Sequence, residues 1–271
     1  MKIYDPYIRS RTQPDEVLKN LAYFGTQEVV TVAHGGQGFE KASQLIGYLE
    51  QLTEGEVRRL ERCGIRGHVA LGVPPDARPR RTHYEVWEEL PKLLERDVVV
   101  AVGEIGVWED TRSQWQLFLR QVEMAVEREL AILLVPPVEL KITLTYKMMA
   151  RLEKAGVAPE RVLVHRMDEK MVENVIESGF CAGYPVGAAT NEPRQAARFL
   201  ADLLEKSGPA ERVLLTSGLR TASADVLGVP KTIVALQELG VAASVIEGWV
   251  CENARRLFDA KGRYEEEESH E

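Results

Sequence analysis

The side chains of this chain best suited to metal binding or nucleophilic chemistry are five histidines and three cysteines, and their spacing limits what they can do. Cys63, Cys181 and Cys251 are odd in number and far apart, which fits reduced, buried thiols better than a disulfide framework or a zinc site. His34 stands in AHGGQGF, where the glycines would let a ligand approach the backbone closely, although a structural imidazole is the favoured reading. The GGQG stretch lacks the Lys-Ser/Thr of a phosphate-cradling loop and the spacing of a dinucleotide fingerprint. His68 reads as a strand-flanking residue, His83 as a helix start, and His270 lies in the tail. The sequence has no nucleophile elbow and no Ser/His/Asp order suited to acyl transfer. Chemistry must therefore come from residues that the fold brings together.

Short runs rich in β-branched residues alternate with longer amphipathic segments from end to end, the pattern of βα units building a parallel sheet. Eight strands are expected, at Lys2–Tyr7, Glu28–Ala33, Gly67–Gly72, Val98–Gly103, Ala131–Val135, Arg161–Val164, Phe180–Gly183 and Val213–Thr216. Several are continuous apolar runs, as strands covered on both faces should be. Between them, Trp115, Phe118, Val122, Ala125 and Val126 recur at helical spacing and read as core packing. Gly64, Gly156, Gly179 and Gly240 sit where helices should stop. The Pro-rich PPDARPRR at 74–81 reads as a long loop leaving the C-terminal end of the third strand, with a solvated, inert loop the favoured reading. The pattern predicts a (β/α)₈ TIM barrel.

With 271 residues, 45% hydrophobic and 28% charged, the expected organisation is one barrel domain over 1–260 and an acidic tail over 261–271, with EEEES at 265–269. A formal net charge of −8 argues against general nucleic-acid or membrane-surface binding. MKIYDPYIRS has no apolar signal-peptide core, and no run approaches the roughly eighteen apolar residues of a membrane span. A cytoplasmic location is the expectation.

In order and at matching spacing, DPYIRSRT at 5–12, ALGVPP at 70–75, AVGEIGV at 101–107, QLFLRQVEMAVERELAILL at 116–134, ADVLGVPKT at 224–232 and ENARRLF at 252–258 resemble the TatD-like branch of the amidohydrolase superfamily. The resemblance runs from the first strand to Phe258. It implies a divalent-metal site at the C-terminal mouth of a barrel, acting on phosphoester-type or related bonds through a metal-activated water. Such a site takes a His-x-His pair from the first strand, a Glu from the fourth, a His from each of the fifth and sixth, and an Asp after the eighth. Here the first-strand pair reads Tyr7 and Arg9, Glu104 is retained, and the fifth-strand position is Val135 or the proline beside it. At the sixth strand either Arg166 or His165 occupies the ligand position, and Arg220 stands where the last Asp belongs.

A guanidinium has no free lone pair for a metal, neutral Tyr is a poor ligand, and Val is none. On the most generous alignment only Glu104 and His165 survive as ligands, fewer than the three a catalytic zinc site uses. No cofactor is therefore expected. The resemblance implies that Arg9, Arg166 and Arg220 converge beside Glu104, with Tyr7, His34, His165 and Lys141 near by. Two readings follow. In one, an Arg-lined pocket of a pseudoenzyme or binding protein holds an anionic small molecule or the acidic group of a protein partner. In the other, the arginines fill vacated space with salt bridges to Glu104, Asp5 and Asp168 and bind nothing. The alternative function is a metal-dependent hydrolase of phosphoesterase or nuclease type, loaded with Zn, Mn or Mg. It would use Glu104 as catalytic residue and a site rebuilt from Glu104, His165 and His34.

Overall fold

The computed structural model describes residues 1–36, 38–77, 84–187, 191–208, 211–220 and 225–259. Its strands are β1 (Ile3–Ile8), β2 (Thr26–Val32), β3 (Arg66–Ala70), β4 (Val99–Ile105), β5 (Ala131–Leu134), β6 (Val162–Val164), β7 (Cys181–Pro185) and β8 (Val213–Thr216). They form one eight-stranded sheet whose spatial order is the chain order, and every adjacent pair is parallel. That is the (β/α)₈ arrangement. The strands lie within about two residues of the expected ones, because a continuous apolar run such as VVVAV has no polar residue to mark its ends. Nearly every strand residue is buried, since side chains alternate between the barrel interior and the helical layer.

The barrel comes together at the β8–β1 seam through groups beyond the ladders. The Asp5 carboxylate accepts from the backbone N–H groups of Tyr7 (3.1 Å) and Ser217 (3.0 Å), and also from the Ser217 hydroxyl. The Arg9 N–H donates to the Leu219 carbonyl at 2.8 Å. Burial pushes the Asp5 carboxyl upward, and the Ser217 hydrogen bonds hold it back. Asp5 is thus committed to the seam and pairs with none of the arginines.

Around the sheet run α1 (Asp15–Tyr23), α2 (Ala42–Gln51), α3 (Val57–Arg62), α4 (Val86–Leu94), α5 (Arg112–Glu127), α6 (Lys141–Lys154), α7 (Glu169–Glu177), α8 (Pro193–Ser207), α9 (Gly228–Glu238), α10 (Ala243–Glu247) and α11 (Asn253–Phe258). On α5, Phe118, Val122 and Ala125 are buried as expected, but Val126 is 48% exposed, because it falls past the edge of the apolar stripe. Gly64 and Gly156 close α3 and α6 in the left-handed region, at φ +83° and +76°. His68 lies inside β3 rather than beside it: buried, its Nε2 is 3.1 Å from Glu28, which also pairs with Arg255 of α11 at 3.0 Å. This pairing ties the last helix to the end of the barrel away from the mouth.

Buried amides fix the loops at the other end. Gln121 on α5 accepts from the Val73 N–H (2.6 Å) and donates to the Val73 carbonyl (3.1 Å), pinning the segment after β3. Gln114 accepts from the N–H groups of Trp108 and Glu109 and pins the segment after β4. The Pro-rich loop is described only up to Ala77, and the tail over 261–271 and His83 and His270 lie outside the described residues. Among the described residues no helix is long and apolar enough to cross a membrane.

Candidate functional site at the barrel mouth

All the site residues expected from the sequence sit at or just past the C-terminal ends of strands: Tyr7 and Arg9 at β1, His34 at β2, Glu104 on β4, His165 and Arg166 at β6, Arg220 past β8, and Lys141 opening α6 after β5. The strand ends converge in a barrel, so eight residues spread over more than two hundred positions share one mouth.

Glu104 is the buried centre of one side, with no solvent exposure. Its Oε2 accepts from the Tyr7 hydroxyl at 2.5 Å, and its two oxygens accept from Arg9 Nη2 at 2.8 and 3.1 Å. Arg9 Nε closes the triangle by donating to the Tyr7 oxygen at 3.2 Å. Burial, and then the Glu104 charge, push the Tyr7 hydroxyl far upward, so it stays protonated and acts as a donor. Burial opposes the Arg9 charge, but Tyr7 and Glu104 outweigh it, and the guanidinium stays charged. The cluster is internally satisfied, as a buried ionised pair must be to persist.

The other side is built differently. His165 is fully buried, with its ring stacked on Tyr7 at 3.7 Å and 19°, and among the described residues neither ring nitrogen has a hydrogen-bond partner. Burial, followed by the charges of Arg166, Arg220, Arg9 and Lys141, holds it neutral well below the usual histidine range. Arg166 takes a left-handed backbone (φ +63°) and among the described residues reaches only the Pro136 carbonyl, at 3.5 Å. Burial and then the neighbouring Arg220 lower its pKa. Arg220 makes no ion pair with a described residue, and its Nε is buried without a partner. Lys141 is not a free rim charge, because its Nζ pairs with Asp168 at 2.8 Å. Of the salt bridges considered from the sequence, Arg9–Glu104 forms, whereas Asp5 belongs to the seam and Asp168 to Lys141.

His34 donates from Nδ1 to the Gly35 carbonyl at 2.8 Å, which leaves Nε2 as an acceptor with no partner. Burial lowers its pKa. The sequence reading missed two neighbours. Asp76, in the Pro-rich loop, lays its carboxylate against Gly35, where any Cβ would collide with it, and burial and then Glu104 raise its pKa. The adjoining His34-Gly35 pair was the only available signal, since only glycine leaves room there. Thr12, one turn past Arg9, hydrogen-bonds through its hydroxyl to the carbonyls of Arg9 (2.7 Å) and Arg220 (2.9 Å), linking two arginines that are remote in sequence.

These side chains do not fit a catalytic divalent ion. Both oxygens of Glu104 are turned to Tyr7 and Arg9, and a guanidinium stands where a ligand would be needed. His34, His165 and Glu104 do not form a cage: among the described residues, no three His, Cys, Asp or Glu side chains are grouped to hold a metal.

A parallel barrel with these polar residues gathered at the strand C-termini defines the class, a (β/α)₈ barrel with a polar mouth. No family model matches the chain. Over 244 residues, 90% of this chain and 94% of the other, it is 24% identical to an uncharacterized metal-dependent hydrolase of Methanocaldococcus jannaschii. The crystal structure of a TatD-like protein from Archaeoglobus fulgidus superposes with a TM-score of 0.74 at 23% identity, covering 94% of this chain and 99% of that one. A phosphotriesterase homology protein from Escherichia coli also gives 0.74, at 14% identity over 95% and 98% of the two chains. A TatD homolog from Escherichia coli gives 0.64 at 19% identity, over 94% and 97%. The chain shares the barrel fold of these proteins and is similar to them along nearly its whole length.

Proposed function

We propose that this TatD-like barrel is a cytoplasmic binding protein that holds a small anion at its mouth through Arg166 and Arg220, without the metal-dependent catalysis named for its relative. The carrying observation is that Arg166 and Arg220, both partly buried just past the ends of β6 and β8, make no ion pair with a carboxylate among the described residues. Partly buried like charges without a partner are costly, and an anion removes that cost. Guanidinium forks match phosphate and carboxylate oxygens two at a time.

Support also comes from a neighbour. The Escherichia coli phosphotriesterase homology protein, which shares this fold, was crystallised with phosphate in its active site. Binding is favoured over catalysis because Glu104, the one carboxylate available as a base, is already engaged by Tyr7 and Arg9.

The test uses chelator-treated protein and inorganic phosphate in a thermal-shift titration. Wild type is expected to be stabilised in a saturable way, and Arg166→Ala and Arg220→Ala are expected to lose the response. Phosphoester turnover that requires added Zn²⁺, Mn²⁺ or Mg²⁺ and disappears in Glu104→Ala would overturn the reading in favour of a hydrolase.

A further inference from the structure

We propose that the anion taken by this mouth is amphiphilic: a phosphate or carboxylate head held by Arg166 and Arg220, with an aliphatic chain lying on Val138, Leu140 and Ile142. The inference rests on the anion reading above and extends it to the class of ligand.

The three side chains are 77%, 66% and 54% exposed, and they follow one another at alternate positions through the β5–α6 segment into the first turn of α6. That segment leaves the C-terminal end of β5, so the apolar rim lies on the same face as the arginines. The segment starts beside one of the arginines, because Arg166 Nη1 lies 3.5 Å from the Pro136 carbonyl at its beginning. Lys141, between Leu140 and Ile142, is turned to Asp168.

Local rules do not account for Leu140. It occupies the N-cap of α6, where a side chain able to accept a hydrogen bond is preferred, and it makes no cap. Its backbone is left-handed, at φ +52° and ψ +26°, a region unfavourable for any residue with a Cβ. It is also largely in water. A residue that breaks the capping, backbone and burial preferences together marks a place where function sets the sequence. Of the other exposed apolar side chains, Tyr23 and Phe24 run into the start of β2, Val234 and Leu239 sit on and just after α9, and Tyr84 lies in the segment between β3 and α4.

Three aliphatic side chains are far fewer than the roughly twenty residues per side of a stable protein interface. They match a single short chain. Arg166 and Arg220 on the same rim supply charge complementarity for its head.

Titration calorimetry with inorganic, ethyl, butyl and hexyl phosphate tests the proposal on the full chain. Wild-type affinity is expected to rise about threefold per added methylene as the chain lengthens. Val138→Ser/Leu140→Ser/Ile142→Ser should bind inorganic phosphate as wild type does and show no dependence on chain length. Should that variant fail to fold, Leu140→Gly, which suits the left-handed backbone, should still reduce the slope. A flat series in wild type overturns the amphiphile and leaves the anion site standing, whereas no binding of any phosphate overturns the anion site itself. A change of oligomeric state in the serine variant, read by gel filtration, would assign the rim to self-association and also overturn the proposal.

Discussion

The two halves of the mouth solve the same electrostatic problem in opposite ways. On the β1–β4 side, Tyr7, Arg9 and Glu104 satisfy one another, and the carboxylate is wholly sealed from water. On the β6–β8 side, the charge of Arg220 lowers the pKa of Arg166, and the nitrogens of the neutral His165 have no hydrogen-bond partner among the described residues. A buried charge persists when paired, so the first half reads as structure. Unpaired charge that a fold nevertheless retains needs a partner from outside, so the second half reads as the site. The contrast also explains why a retained Glu104 is a poor sign of retained catalysis: its new neighbours have absorbed it.

If that contrast holds, substitutions should act with opposite signs on the two sides. The largest effect belongs to Arg9→Leu, which strands the Glu104 carboxylate in the interior. Unfolding free energy should fall by about 3–5 kcal/mol in urea titrations. Glu104→Leu combined with Arg9→Leu should recover much of that loss. A loss below about 1 kcal/mol in the single variant would mean that the sealed pair is not a structural unit.

Next in size is a pH effect from the bare histidines. His165 and His34 both have folded pKa values held below 6.5, first by burial. The unfolded chain therefore takes up protons near pH 6.5 that the folded chain refuses, and stability is lost as pH falls below that point. Each histidine contributes up to about 1.4 kcal/mol per pH unit. Chemical denaturation between pH 7.5 and 5 should show this slope, and His165→Phe should remove the share due to that residue. An unchanged slope would mean that His165 charges freely in the fold.

On the Arg side the sign reverses. Arg166→Leu should leave the phosphate-free protein as stable as wild type, or more stable by up to about 1 kcal/mol, because it relieves the repulsion with Arg220. The same substitution should abolish the thermal response to phosphate. A loss of stability like that of Arg9→Leu would erase the distinction between the halves.

The legibility of these features in the sequence differed for physical reasons. The barrel was readable because runs such as AILLV and RVLLT carry their burial in composition, and the convergence of Tyr7, Arg9, Glu104, His165, Arg166 and Arg220 came with the resemblance that fixed the strand ends. Pairing was not readable. Whether Glu104 engages Arg9 or Arg166, and whether Lys141 faces the pocket or Asp168, depends on rotamers and on segments such as the left-handed turn at Arg166. Asp76 was hidden for a related reason: a carboxylate in a Pro-rich loop looks solvated until the loop folds it onto Gly35.

Thr12 gives the smallest and most specific test of the division. It is exposed and contributes nothing to the core, yet its hydroxyl hydrogen-bonds to the carbonyls of Arg9 and Arg220, one from each half of the mouth. The same oxygen accepts from the side-chain amide of Gln13 at 2.9 Å, which fixes its orientation. A solvent-accessible hydrogen bond of this kind is worth about 0.5–1 kcal/mol, so Thr12→Val should hardly change the denaturation midpoint. Its effect should fall on spacing: without the tie, the Arg220 segment is held to Arg9 only through the Leu219 carbonyl. Phosphate affinity should then drop by about three- to fivefold while stability stays within about 1 kcal/mol of wild type. Equal losses in both quantities would make Thr12 a stabilising surface residue with no part in positioning Arg220.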